Sequence, residues 1–287
     1  MTQPTWMITG ANGFLGANAT SYLSKKVSTI GISRDQHDLV NPVTLAEEIK
    51  RTKPNYLLHA AAIASHQLCE EQPDLAISIN SEATKVLAQA CESARTKMIY
   101  ISTDSVFSGQ PTKHRPAGYY TEQDPPNPNT AYGESKLQGE HNAQEETNPL
   151  IVRTNFFGWS PTGHSSILEF FINELRAKHK VNGFTNFTTT SLYVQTLLDY
   201  IYQLKDQVGI FHVTSSDASN KYQFGLKVAE RFDLDKSLIT PFELSTSKDI
   251  SLNTHKLADA LPDRIHNQDQ GLFTAQQDKK GCSNLDG

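Results

Sequence analysis

The stretch Trp6-Met7-Ile8-Thr9-Gly10-Ala11-Asn12-Gly13-Phe14-Leu15-Gly16 decides the fold: a short apolar run, then glycines three apart, then a helix-like segment to Ser24. Read as strand, tight turn and helix, it puts glycines where the backbone needs positive φ and where a diphosphate must come close. The helix start adds free amides and the positive end of its dipole. The spacing is GxxGxxG, not GxGxxG, and such a triplet by itself is often only a loop. Between a short buried strand and an amphipathic helix it meets the context of a nucleotide site. Gly10, Asn12, Gly13, Phe14, Leu15 and Gly16 are therefore candidate cofactor contacts.

Working outward, short strands alternate with helical segments, the signature of parallel βαβ units. Residues 27–33 read as a second strand. Asn41 and Pro42 then open a helix, as cap and first residue, with Leu45 and Ile49 facing inward. Pro54 ends that helix before a strand over 56–60, and Ile79, Ala83, Val86, Leu87, Ala90 and Ala94 form a helical stripe leading to a strand at 97–102. The pattern is a doubly wound sheet. Further on, the reading gives a strand at 150–153, helices near 166–180 and 191–204, a strand at 209–213 and a helix near 222–232 whose Phe224, Val228 and Phe232 stack toward a core. Residues 263–287 are mostly polar and read as a mobile or loosely docked tail.

Two more stretches carry chemistry. Ile99-Tyr100-Ile101-Ser102-Thr103-Asp104-Ser105-Val106-Phe107 is a β-rich run that stops at hydroxyl residues. In open α/β sheets ligands bind beyond the carboxyl ends of strands, so Thr103 is placed to donate to a substrate carbonyl, with strand-end turn chemistry as the plainer alternative. In AYGESKLQGE, residues 131–140, Tyr132 and Lys136 are four apart and share a helical face. A nearby cation lowers a phenol from its usual pKa of about 10, which would let Tyr132 exchange a proton with a carbonyl oxygen.

Composition sets limits. The 287 residues suffice for one large α/β domain with a smaller lobe, and a hydrophobic fraction of 37% allows a substantial core. A formal charge of -5 leaves no basic footprint for nucleic acid. No run of about 18 apolar residues calls for a membrane, and the first apolar segment is already a strand, so no secretory signal is expected. Cys69, Cys91 and Cys282 have no metal-like spacing and read as free thiols of a reducing cytoplasm. The ten histidines form no paired-ligand pattern, so no metal is assigned.

GANGFLG, ISTDSVFSG and AYGESKLQGE together resemble the extended short-chain dehydrogenase/reductases, and within them the dTDP-4-dehydrorhamnose reductase family. LLHAAAIAS, CEEQPDLAISIN, TEQDPPNPNTAYG, IVRTNFFGW and ISLNTHKL look like further landmarks in the expected order, from about residue 5 to 260. The resemblance implies a Rossmann-like doubly wound parallel sheet with a smaller C-terminal substrate lobe. The cofactor unit would span 1–154 plus about 189–215, and the lobe about 155–188 plus 216–262. It also implies NAD(P)-dependent reduction of a nucleotide-activated keto sugar, with Thr103, Tyr132 and Lys136 in the catalytic positions and the protein alone or as a homodimer.

Coenzyme choice is read at the end of the second strand, Gly31-Ile32-Ser33-Arg34. Ser33 and Arg34 can both donate to a 2′-phosphate, which favours NADP(H), whereas Asp35 would suit NAD(H). Asp38 and Leu39 resemble the family's pair beside the adenine, and small Ala60, Ala61 and Ala62 let backbone approach ribose and diphosphate or simply pack strand on helix. Asn80 aligns with a superfamily asparagine that supports the active-site helix or a proton relay, or is a buried amide serving backbone. Arg153 and Asn155 line a sugar or nucleotide pocket, or Arg153 closes a structural ion pair. Asp104, Ser105 and Phe156 complete the candidate substrate contacts. Ser105 and Phe156 depart from the family's residues, as does Thr190-Ser191-Leu192, so another keto sugar or small carbonyl compound is an alternative substrate. The rival functions are an epimerase, which would retain its nicotinamide, and a non-catalytic NADP-binding subunit like the regulatory β subunit of methionine adenosyltransferase.

Overall fold

The computed structural model describes residues 3–111, 117–161 and 166–283, with backbone alone for 280–283. The chain divides into two compact units. The first comprises Met1–Ser108, Pro125–Arg153 and Tyr200–Phe211, and the second Gly109–Asp124, Thr154–Asp199 and His212–Gly287.

The first unit is built on a six-stranded parallel sheet. Strand β1 (Thr5–Thr9) buries Trp6, Met7 and Ile8 completely, and helix α1 (Phe14–Leu23) follows after the glycine turn. Strand β2 (Ser28–Ile32), helix α2 (Val43–Thr52) and strand β3 (Tyr56–His59) come next. Helix α2 buries Leu45 and Ile49 as expected, but its cap is Pro42 with no side-chain hydrogen bond, so Asn41 is not the cap. Short helices α3 (His66–Glu71) and α4 (Pro73–Ile77) and a π-helical turn Ser78–Glu82 lead into α5 (Ala83–Ala94), which packs the predicted apolar stripe into the core. Strand β4 (Lys97–Thr103), helix α6 (Ala131–Glu146) and strand β5 (Leu150–Thr154) follow, and Gly209–His212 supplies the sixth strand.

The strand order is Gly209–His212, β5, β4, β3, β1, β2. The chain leaves β1 for β2 on one side and returns to β3 on the other, so the connections after β1 and β3 go to opposite faces. Their carboxyl ends part at the place where open α/β sheets bind ligands. Parallel pairing puts Ile32, Thr9, His59 and Tyr100 in one cross-strand row at that edge. The glycine turn admits no side chain: a Cβ on Gly16 would fall 2.1 Å from the Gly10 carbonyl oxygen, and Gly10 itself has φ 70°.

The second unit contains a three-stranded sheet in the order Ala218–Asn220, Phe187–Thr190, Lys248–Asp249, with two smaller strand pairs. Its helix Ile167–Arg176 starts at a Ser166/Glu169 capping box and Lys221–Arg231 at an Asn220/Gln223 box. Phe224 lies in the core as predicted, its ring edge-on to Phe157 with centroids 5.1 Å apart.

Two boundaries differ from the sequence reading. The sheet-bearing unit takes Tyr200–Phe211 instead of 189–215, and Gly109–Asp124 falls to the second unit. The larger correction concerns 263–287, expected to be a mobile or loosely docked tail. Gln268–Ser283 is a helix seated on the second unit, burying Leu272 and Ala275. Tyr193 donates to Asp278 Oδ2 at 2.6 Å, Trp159 Nε1 to the Ala275 carbonyl at 2.7 Å and Ser219 to Gln268 Oε1 at 2.7 Å. A few well-placed polar contacts dock what its composition left without an obvious apolar face. Truncation before Gln268 is expected to expose Leu272's packing site and lower the thermal midpoint by several degrees, a loss of about 1 kcal/mol or more being worth a few degrees in a chain of this size. A scanning-fluorescence comparison with the full chain checks this, and an unchanged midpoint would restore the loose-tail reading.

Candidate active site

Strand β4 ends at Thr103 and the chain turns at once through a single 3-10 turn, Asp104–Val106. Thr103 makes that turn: its Oγ1 accepts from the Ser105 amide and donates to Asp104 Oδ1, both at 3.1 Å. The plainer reading of Thr103, strand-end turn chemistry, is realised, and the side chain lies near enough to Tyr132 to pull its phenol down. Asp104 and Ser105 are buried in the turn. Tyr132 stands in the first turn of α6, whose start is fixed by Thr130 accepting from the Gly133 amide at 3.1 Å and by Glu70 accepting from the Ala131 amide at 2.8 Å. The His66 ring lies against Tyr132, centroids 4.6 Å apart.

Lys136 is one turn on and buried, its Nζ 4.0 Å from the centre of the Tyr100 ring. Burial pushes the Lys136 amine down to about 7, against the pull of the Glu140 carboxylate. Burial also holds the Tyr132 phenol above its ordinary value, opposed by the neighbouring Thr103 side chain and reinforced by the Asp104 charge. This reverses the sequence expectation that Lys136 lowers the phenol, because desolvation outweighs a cation that here faces Tyr100. A phenol kept protonated near neutral pH is suited to donate.

Asn80, 1% exposed, accepts from the Ile63 amide at 2.8 Å and donates to the Ile63 carbonyl and to Ser135 Oγ, each at 3.0 Å. Two of the alternatives for Asn80 are realised: the amide serves backbone and braces the helix of Tyr132. Arg153 resolves toward the ion pair. Its Nε and Nη2 bond Glu140 at 2.9 and 2.7 Å, Ser102 donates to the same carboxylate, and the side chain is only 2% exposed, with Nη1 left without a hydrogen-bond partner among the described residues. Asn155 and Phe156 lie in the second unit, where the Asn155 carbonyl accepts from the Leu192 amide at 3.0 Å and Phe156 pairs with Leu192.

On the other side of the sheet edge, Gly10, Asn12, Gly13, Phe14, Leu15 and Gly16 form the turn after β1 and the opening of α1, and Ala60, Ala61 and Ala62 follow β3. A Cβ on Gly10 would lie 3.0 Å from Ala61 Cα, so these two turns touch. Ser33 and Arg34 follow β2. Ser33 donates through amide and hydroxyl to Gln36 Oε1, while Arg34 is mostly exposed, 3.7 Å from Asp38. Leu39 is buried in the core cluster. Cys69 and Cys91 are buried free thiols. Among the described residues no helix is long and apolar enough to cross a membrane.

Sequence reasoning missed His66, Ser135 and Glu140. Glu140 had a signal, since positions 132, 136 and 140 repeat every four residues and share one face of α6. His66 had none, because its contact with Tyr132 exists only once α3 packs on α6.

The fold is that of an extended short-chain dehydrogenase/reductase. The family model described as the RmlD substrate binding domain matches residues 5–252, and the chain belongs to that family. It is 31% identical over 252 residues to a probable low-salt glycan biosynthesis reductase of Haloferax volcanii, covering 81% of each chain. It is 26% identical to methionine adenosyltransferase 2 subunit beta of Xenopus tropicalis, covering 82% of this chain and 74% of that one. A crystal structure of dTDP-4-dehydrorhamnose reductase from Bacillus anthracis in complex with NADP shares the fold, with TM-score 0.86 and 24% identity over 97% of this chain and 99% of that one.

Neutralising Glu140 leaves the Arg153 guanidinium buried without its counter-charge, so Glu140→Gln is expected to cost about 3–5 kcal/mol. Urea denaturation should show a markedly lower midpoint, with much of it regained in Glu140→Gln/Arg153→Met. A single variant as stable as the unmodified protein would show that the pair is not the anchor of α6.

Proposed function

We propose that the chain is an NADP(H)-dependent reductase of a nucleotide-activated keto-deoxysugar. One observation carries the reading: Thr103 and Tyr132 come together at the carboxyl end of β4, with Lys136 one helical turn behind. The Gly10–Gly16 contact, too tight for any Cβ, and the small residues after β3 fit a dinucleotide diphosphate. NADPH, when bound there, supplies the hydride for a sugar carbonyl carbon. The Tyr132 phenol gives its proton to the carbonyl oxygen as that oxygen gains charge. Turning its single hydroxyl hydrogen from Asp104 Oδ1 to the substrate, Thr103 donates a second hydrogen bond to that oxygen, and donors aimed at developing negative charge are often worth about 3 kcal/mol each. Lys136 holds the ribose hydroxyls, and Ser33 and Arg34 take the 2′-phosphate. Gly10, Asn12, Gly13, Phe14, Leu15, Gly16, Asp38, Leu39, Ala60, Ala61 and Ala62 surround the remainder of the cofactor. Asp104, Ser105, Asn155 and Phe156 belong to substrate recognition.

The likeness to methionine adenosyltransferase 2 subunit beta favours a second reading, a non-catalytic NADP-binding subunit. The intact Thr103, Tyr132 and Lys136 set weighs against it. The deciding assay is NADPH oxidation by the purified protein with a panel of nucleotide 4-keto sugars. Stoichiometric consumption supports the reductase. Full occupancy by retained dinucleotide with no net consumption means an epimerase, and saturable NADPH binding without any turnover means the regulatory subunit.

On a substrate found this way, Tyr132→Phe is expected to bind NADPH nearly unchanged and to turn over about 10²-fold more slowly or worse, the usual contribution of a positioned proton donor. Steady-state kinetics with a coenzyme titration measures both, and retention of most activity would remove Tyr132 from the chemistry.

Coenzyme choice is tested separately. The unmodified protein should bind NADPH more tightly than NADH, and Arg34→Ala should erase much of the difference by removing a phosphate partner. Equal affinities in fluorescence titrations of the unmodified protein would place the 2′-phosphate contact elsewhere.

A further inference from the structure

His59, the last residue of β3, is buried at 1% exposure and bonded on both ring nitrogens: Nδ1 lies 2.8 Å from Thr9 Oγ1 and Nε2 lies 3.2 Å from Thr84 Oγ1. The direction of these bonds follows from counting protons. Thr9 Oγ1 already accepts from the amides of Ala60 and Ala61, at 3.1 Å each, so its one hydrogen points to His59 Nδ1. Nδ1 therefore accepts, and the neutral ring carries its proton on Nε2 and gives it to Thr84. The Thr84 hydroxyl in turn donates to the Asn80 carbonyl at 2.9 Å. Burial pushes the imidazole down to about 3 and the Lys136 charge acts in the same direction, so the ring stays neutral. A proton on Nδ1 would face the Thr9 hydrogen and break the sequence of bonds.

Both ends of this chain reach the site. Thr9 holds the first two amides after β3, at the turn that touches Gly10. Asn80 reaches α6, its Nδ2 donating to Ser135 Oγ and Ser135 donating to the Tyr132 carbonyl at 2.9 Å. We propose that His59 is a positioning residue: fixed as the Nε2–H tautomer between Thr9 and Thr84, it keeps the turns after β1 and β3 in register with the helix turn that carries Tyr132. The consequence for turnover rests on the reductase reading; the bond directions do not.

The test has two arms on the full-length protein. A long-range 1H–15N spectrum of histidine-labelled protein, with His59 assigned by its loss in His59→Phe, should show the Nε2–H tautomer, unchanged between about pH 5 and 8 where an ordinary histidine titrates. An Nδ1–H tautomer, or titration in that range, overturns the proposal whatever the reaction. In the second arm Thr84→Val keeps the side-chain shape and removes the hydroxyl. It should lower kcat about tenfold while the Kd for NADPH moves less than about threefold, because small misplacements of reacting groups cost rate more than affinity. Thr84→Ser, which restores the hydroxyl, should recover kcat. Equal losses in kcat and coenzyme affinity, or a serine variant as slow as the valine one, overturn the positioning role. Absence of turnover on every keto sugar would sink the reductase reading, while the tautomer measurement would still decide the bond chain.

Discussion

The structure turns on one buried charge. Glu140 lies in the middle of α6 with its carboxylate enclosed, and a carboxylate taken out of water costs several kcal/mol unless it is paired and its lone pairs are filled. Arg153 from β5 supplies two hydrogen bonds and Ser102 from β4 a third. Those three bonds come from two adjacent strands and allow one rotation and one height of α6 over the sheet. The helix cannot slide by a residue without stranding the charge. Because Lys136 and Tyr132 precede Glu140 by one and two turns on the same face, anchoring Glu140 also places the two groups that would do the chemistry.

This explains how a helix as polar as α6 becomes central. Its buried positions include Ser135, Lys136, Gly139 and Glu140, with Ala143 as the apolar exception. Close packing comes from Gly139, where a Cβ would fall 2.2 Å from the Tyr100 hydroxyl, and specificity comes from directed bonds such as Asn142 to Ser81. Apolar burial alone would tolerate several rotations of such a helix; a set of directed polar contacts does not.

The same logic governs the sheet edge. The turns after β1 and β3 are held by the Thr9 hydroxyl, and the amide of Asn80 fixes Ile63 as the chain moves away from the sheet. Polar groups at the carboxyl ends of these strands thus do double service: they satisfy backbone that the diverging strands leave unpaired, and they set the distance between the glycine turn and α6. Thr103 repeats the pattern at β4, closing its own turn beside Tyr132.

Much of this was legible in the amino-acid order. Alternating apolar strands and helices, the three glycines after β1 and the Tyr132/Lys136 spacing depend on neighbours within a few residues, and local sterics and periodicity settle them. What remained open depended on contacts between distant segments. Arg153 reads equally as ligand or structural cation until β5 sets it opposite Glu140. Lys136 reads as a cation for Tyr132 until packing turns it over Tyr100 and burial raises the phenol instead. His59 reads as one histidine among ten until the parallel register brings Thr9 alongside it. The polar segment 268–283 reads as loose until Trp159, Tyr193 and Ser219 meet it. Local order determined which elements form and which residues carry reactive groups; tertiary structure alone decided their protonation and partners, because desolvation and hydrogen-bond geometry are properties of the packed surroundings and not of the residue.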